Sequence, residues 1–103
     1  MVVDTKQKED SPKYRDKRTS SFAMGMRIKE FQVFKEQAER RLDILEAAIT
    51  RDDLISLPSN HFESLSGNRV GQFNIRINHQ WHICFEWPHG HERPYNIEIV
   101  DYH

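Results

Sequence analysis

The chain has 103 residues, 37% hydrophobic and 30% charged, with a net charge of −1 when histidines are neutral. That length supports one small domain around one core, and the near-zero charge excludes a bulk polycation, so any anion site must be local. The lone cysteine, Cys84, excludes an internal disulfide framework and fits a reducing cytoplasm, and no apolar run is long enough for a signal peptide or membrane span.

Residues 1–13 are polar and charged without periodicity, and are expected to form a disordered tail ahead of a domain at 14–103. Tyr14 to Arg18 either opens a short edge strand or leads into a helix. Thr19, Ser20 and Ser21 offer an N-cap for a brief helical turn through Phe22 and Met24, which Gly25 ends. Arg27 to Ile49 then predicts a long helix. Ile28, Phe31, Phe34, Ala38, Leu42, Leu45 and Ile49 recur at three and four and form one apolar stripe. The opposite face carries Lys35, Glu36, Glu39, Arg40, Asp43 and Glu46 and is read as a solvated surface with a Glu36–Arg40 pair. The Arg40–Arg41 doublet has no spacing specific to phosphate. Thr50 begins a second short helical turn with Leu54, Ile55 and Leu57 expected inward, and Pro58-Ser59-Asn60 stops it. Phe62 to Leu65 reads as a short strand, and Ser66-Gly67-Asn68 as a turn.

Gly71 to Trp87 organises the rest. Phe73, Ile75 and Ile77 alternate with Gln72, Asn74 and Arg76; Trp81, Ile83, Phe85 and Trp87 alternate with His82, Cys84 and Glu86. Strict alternation means two strands with one apolar and one polar face. A two-residue turn would place Ile77 and His82 on the same face, so a three-residue loop, Asn78-His79-Gln80, is required. Such a loop commonly needs a positive φ, which Asn78 or His79 is expected to supply. Arg76 and His82 then become cross-strand neighbours on the polar face, with Gln72 opposite Glu86. After a loop from Pro88 to Pro94, Asn96 to Tyr102 forms the last strand with Ile97 and Ile99 on one face. Helices followed by a strand meander predict an α+β domain: a small antiparallel sheet, N-terminal helices on one face, and the Arg76–His82 face open to solvent. All six histidines, His61, His79, His82, His89, His91 and His103, fall in the second half, so acid–base chemistry belongs there.

The segments LPSN, ESLSGNRVGQ, IRINHQW, ICFEW and IEIVDYH, with EQAERRLDILEAA and YRDKRT before them, resemble the HigB branch of the RelE/ParE toxin superfamily, especially its GraT-type members. The resemblance runs from about Tyr14 to His103. It implies a RelE-like fold and a type II toxin that enters the ribosome and cuts messenger RNA, with no cofactor and no metal. The RNA's own 2′-hydroxyl attacks the neighbouring phosphate, so the protein supplies a base, an acid and positive charge. It also implies silencing by a helix-turn-helix antitoxin, HigA-like, and a cytoplasmic protein with no membrane partner.

Carried over residue by residue, the terminal pair Tyr102 and His103 is intact, and His103 is the candidate proton donor or acceptor at the scissile phosphate. His82 stands where the family has arginine after the QW tryptophan, His61 where arginine is common, and Glu63 and Ser66 where HigB-type enzymes place a histidine and a lysine. Positive charge therefore falls to Arg69 and Arg76, with His61 and Ser66 as further candidate contacts to RNA. A weak nuclease, or one favouring mild acid, is expected. Two alternatives stay open: a ParE-like gyrase inhibitor, which does not need Tyr102 and His103, and a degenerate RNA- or antitoxin-binding module. A metal site of His82, Cys84, His89 and His91 lacks closed tetrahedral spacing.

Overall fold

In the computed structural model, which describes residues 12–101, the hairpin takes the register that the alternation requires. The strands are β1 (Glu63–Ser64), β2 (Gln72–Arg76), β3 (Trp81–Glu86) and β4 (Tyr95–Asp101), in one antiparallel sheet ordered β1-β2-β3-β4. Phe73 faces Phe85, Ile75 faces Ile83, Arg76 faces His82 and Gln72 faces Glu86. The turn is closed differently from expectation. Neither Asn78 nor His79 has a positive φ; among described non-glycine residues His61 and Asn96 do. Instead the Asn78 Oδ1 accepts from the N–H groups of Gln80 and Trp81, both at 2.8 Å, so a side chain performs the bend.

Helix α1 (Lys17–Ala23) is capped by Asp16, whose Oδ1 accepts from the Thr19 N–H at 3.3 Å. The expected cap residues Thr19, Ser20 and Ser21 therefore lie inside the helix, and Gly25, at φ 95°, follows its end. The long helix expected at Arg27–Ile49 is two pieces: a 3₁₀ segment, Lys29–Phe34, and α2 (Lys35–Ala47). The stripe tolerates both, because Phe31 and Phe34 are three apart and a three-residue turn stacks them. Their rings reach Trp81 at 5.6 and 4.9 Å. Ile49 lies past the helix end and is 78% exposed, which corrects its place in the core. The ion pair along α2 is Lys35–Glu39 at 2.9 Å. Helix α3 (Arg51–Ile55) starts where the Asp53 carboxylate accepts from the N–H groups of Ile49 and Thr50, which holds that carboxyl below its usual range. So short a helix turns one side chain inward: Leu54 is buried, while Ile55 and Leu57, expected beside it, are exposed.

One core fills the space between helices and sheet. It joins Phe22, Phe31, Phe34, Leu42, Leu45 and Leu54 to Ile75, Ile83, Phe85, Ile97 and Ile99. The outer edge of β4 is covered. The N–H groups of Asn96 and Ile97 donate to the carbonyls of Pro12 and Lys13, Arg15 N–H donates to Ile97, and Ile99 N–H donates to the Thr19 hydroxyl, all at 2.9–3.0 Å. Tyr14 to Arg18 thus serves both readings: an edge segment bridging Tyr14 to Ile97 in parallel, then the start of a helix. Such a cover removes a template for stray strand pairing. The remainder of the expected tail, 1–11, lies outside the described residues. No helix among the described residues is long and apolar enough to cross a membrane.

Candidate functional site

Alternation places Asn74 and Arg76 of β2, His82 and Cys84 of β3, and Glu98 and Val100 of β4 on the sheet face turned away from the core. Two cross-strand rows result. One runs Arg76, His82, Val100; the other runs Glu63, Asn74, Cys84, Glu98. The face is less open than the sequence predicts: Asn74, Cys84 and Val100 are at most 8% exposed. Two arginines gather at one end of it. Arg69 Nη1 and Arg15 Nε each lie 3.5 Å from the same Glu98 Oε1, and Arg69 Nη1 also donates to Gln72 Oε1 at 3.0 Å. Both guanidinium groups also act on the Cys84 thiol through their charge.

The electrostatics separate the rows. Burial lowers the His82 pKa first, and the Arg76 guanidinium beside it lowers it further; Glu63 and Asp101 pull the other way but do not win. His82 is therefore a neutral imidazole at neutral pH, and it takes up a proton only at a lower pH than a free imidazole does. The Nε of Arg76 is buried and has no hydrogen-bond partner among the described residues. Cys84 is pushed up to about 11, chiefly by burial, with Glu98 adding to the rise and Arg69 and Arg15 opposing it. It is a buried thiol with no nucleophilic character at neutral pH.

The structure thus brings Arg69, Arg76 and His82 to one face. Ser66 is exposed in extended backbone just before the 3₁₀ turn Gly67–Arg69, where its carbonyl accepts from the Arg69 N–H at 3.2 Å. His61 is exposed in a left-handed conformation, φ 47°, at the end of the 3₁₀ turn Pro58–Asn60 and just ahead of β1. Tyr102 and His103 lie outside the described residues. Asp101, the last described, faces Trp81 and accepts from the Gln80 side-chain amide at 2.8 Å.

Sequence reasoning missed Arg15 and Glu98. The signal was present in both. Tyr14 and Arg15 alternate like strand residues, with Tyr14 packed against the core, and Glu98 interrupts two buried isoleucines. Arg41, by contrast, is structural: it donates to Asn60 Oδ1 at 2.8 Å and Ser59 Oγ at 3.3 Å, and Asn60 Nδ2 donates to the Leu54 carbonyl. The remaining histidines do not gather. Arg51 Nη2 lies 2.6 and 3.0 Å from the two His89 ring nitrogens, and His91 lies by Tyr95. Among the described residues no three His, Cys, Asp or Glu side chains are grouped as a metal ion requires. A cavity of about 280 Å³ opens between Ile49–Asp52 and Trp87–His91, and none of the sequence-predicted site residues lines it.

Comparison with known proteins bears on this arrangement at three levels. A family model described as the RelE-like toxin of type II toxin-antitoxin system HigB matches residues 14–103. Toxin HigB-1 of Vibrio cholerae serotype O1 is 45% identical over 51 residues, which are 50% of this chain and 54% of that protein, so the match spans about half the length of that relative. Among solved structures, a chain of the YoeB-YefM complex from Staphylococcus aureus is similar over 88% of this chain and 93% of its own, with a TM-score of 0.54 and 19% identity, a likeness of fold.

Proposed function

This chain belongs to the HigB family of RelE-like toxins of type II toxin–antitoxin systems, and on that premise we propose that it is a metal-independent endoribonuclease that cuts messenger RNA on the ribosome. The observation that carries the reading is the cross-strand pair of Arg76 and His82, a guanidinium beside an imidazole held neutral, on the sheet face away from the helices. A neutral imidazole accepts the proton of the RNA 2′-hydroxyl as that oxygen forms its bond to the adjacent phosphorus. Arg76 holds the phosphate oxygens whose charge grows in the transition state. The bond from phosphorus to the 5′-oxygen breaks, and in this reading the imidazolium of His103 delivers a proton to that leaving oxygen, with Tyr102 beside it. The products are a 2′,3′-cyclic phosphate and a 5′-hydroxyl. Arg69, with His61 and Ser66 at the β1 side of the sheet, holds the flanking backbone. The domain is residues 14–103, the compartment is the cytoplasm, and the partner that silences the protein is a helix-turn-helix antitoxin of the HigA type.

One observation favours a second reading. Glu63 stands on the polar face next to the pair, a carboxylate near the place a phosphate must occupy. That arrangement suits a module that has lost catalysis and retains antitoxin binding.

Purified protein added to ribosomes translating a defined message separates the readings. Cleavage within the A-site codon, abolished by His103→Ala, is the expected result. An intact message with gyrase supercoiling blocked sinks the nuclease in favour of a ParE-like toxin. An intact message with gyrase unaffected and antitoxin still bound leaves the non-catalytic module.

A further inference from the structure

The LPSN segment, residues 57–60, takes no part in the proposed chemistry, yet its last residue is wholly buried. Asn60 Oδ1 accepts from Arg41 Nη1 at 2.8 Å, its Nδ2 donates to the Leu54 carbonyl at 3.0 Å, and its backbone N–H donates to the Leu57 carbonyl at 3.0 Å. Arg41 Nη1 also donates to Ser59 Oγ at 3.3 Å. One asparagine thus ties the turn Pro58–Asn60 to α2 and α3, and the turn lies against β2. His61 comes next, with its N–H donating to the Pro58 carbonyl at 3.1 Å and its φ at 47°. That region disfavours an L side chain, and such a conformation persists where the surroundings fix it. Here they do so on both sides: Asn60 precedes His61, and Phe62 follows it, packed on the core with its ring 5.4 Å from that of Phe73.

The sheet register says where that bend delivers His61. β1 pairs Glu63 with Asn74 and Ser64 with Phe73. Counted back two residues, the same register brings residue 61 level with Arg76, which itself faces His82. Phe62 keeps to the core side, so alternation returns residue 61 to the polar face. We propose that Arg41, acting through Asn60, is a positioning residue for the RNA site: it pins the turn that holds His61 at the β1 end of the Arg76–His82 row. The assignment rests on the reading that this face takes RNA, and Arg41 itself touches none. A bend fixed in advance needs no ordering when the RNA arrives, so the His61 contact keeps its full contribution to binding.

Two measurements test it, the first without RNA. Nuclear magnetic resonance relaxation of the free protein is expected to show the His61 amide as rigid as the strands, with an order parameter of about 0.85 that falls toward about 0.6 in Arg41→Met while the β3 amides keep theirs. Arg41→Lys, which keeps the charge and a donor, is expected to restore most of that order. The second is a double-mutant cycle on the binding of a fluorescent single-stranded RNA, read by anisotropy, with 2′-O-methyl groups that prevent cleavage. His61→Gly keeps the bend, because glycine adopts positive φ freely, and is expected to weaken binding about tenfold, the loss of one hydrogen bond to a charged phosphate. Arg41→Met is expected to weaken binding about threefold in the wild-type background and not at all in His61→Gly. Equal losses in the two backgrounds make Arg41 a general brace and overturn the proposal. So does an unchanged His61 order parameter, or binding that His61→Gly leaves intact. Message cleavage on ribosomes, run in parallel, reports on the nuclease reading by itself. Cleavage that persists while Arg41→Met changes neither order nor binding removes the positioning role and keeps the enzyme; an uncut message with the cycle non-additive removes the enzyme and keeps the positioning role.

Discussion

The two faces of one sheet are buried by different means. On the helix side Ile75, Ile83, Phe85 and Ile99 are fully buried under rings and aliphatic chains. On the other side Asn74 and Cys84 are as deeply buried, in a row that ends at Glu98, where Arg15 and Arg69 converge. The first cover gains free energy from apolar area removed from water. The second places three guanidinium groups, an imidazole and two carboxylates on a half-dry surface, where charge interactions are stronger and each unpaired group is costly. The first arrangement suits stability and the second suits chemistry, so substitutions on the two sides should separate the two properties.

The largest expected effect on stability comes from the helix side. Phe31 is fully buried and its ring contacts Phe22, Phe34 and Trp81. Phe31→Ala should cost about 3–5 kcal/mol in denaturant unfolding, a large part of the roughly 5–15 kcal/mol that holds a domain together. A loss under about 1 kcal/mol would mean that the 3₁₀ segment carrying it is not part of the cooperative core. On the opposite face Arg76→Gln should show the converse profile. Message cleavage should fall on the order of 10²–10³-fold, while unfolding free energy moves by roughly 0.5 kcal/mol. Equal losses in both would erase the distinction between the faces.

The edge where the faces meet gives a smaller effect. Thr19 is fully buried and its hydroxyl receives the Ile99 N–H at 3.0 Å. Thr19→Val keeps the shape and orphans that donor, an expected loss of about 1–3 kcal/mol. Thr19→Ser keeps the acceptor and should recover most of it. If valine were as stable as threonine, water or a shifted backbone would be serving the β4 edge, and the N-terminal segment would not be sealing it.

These contrasts also mark what the residues reveal before any coordinates. The hairpin register was readable because a period of two admits no slip: one step puts His82 in the core. The class of fold followed from it. The break before Lys35 was not readable, since Phe31 and Phe34 at a spacing of three satisfy an α-helix and a 3₁₀ turn alike. Ile49, Ile55 and Leu57 were misplaced because an apolar residue near a helix end carries no mark of where the helix stops. The cluster of Arg15, Glu98 and Arg69 beside Cys84 was hidden for a different reason. It depends on Arg15 and Arg69, distant in sequence, converging on Glu98, and neither local propensity nor alternation reports that. The roles of Tyr102 and His103 came from family resemblance alone.

The finest distinction between the faces concerns one proton. His82 lies half-buried on the polar side, and burial with Arg76 lowers its pKa, while Glu63 and Asp101 from the strands on either side of the hairpin partner oppose the shift. In the unfolded chain its pKa returns to about 6.5. Between the depressed folded value and 6.5 the unfolded state binds the extra proton, so the stability tied to His82 is fully present above about pH 6.5 and is lost as pH falls through the folded value. Unfolding free energies of wild type and His82→Gln, measured from pH 8 down to pH 5, should draw apart in one direction: the wild type loses more on acidification. The cleavage rate should fall with the same acid limb, because the neutral imidazole is the base. A wild type that gains on His82→Gln as acid is added would mean that Glu63 and Asp101 hold an imidazolium, and His82 would then be a cation standing in for the family's arginine.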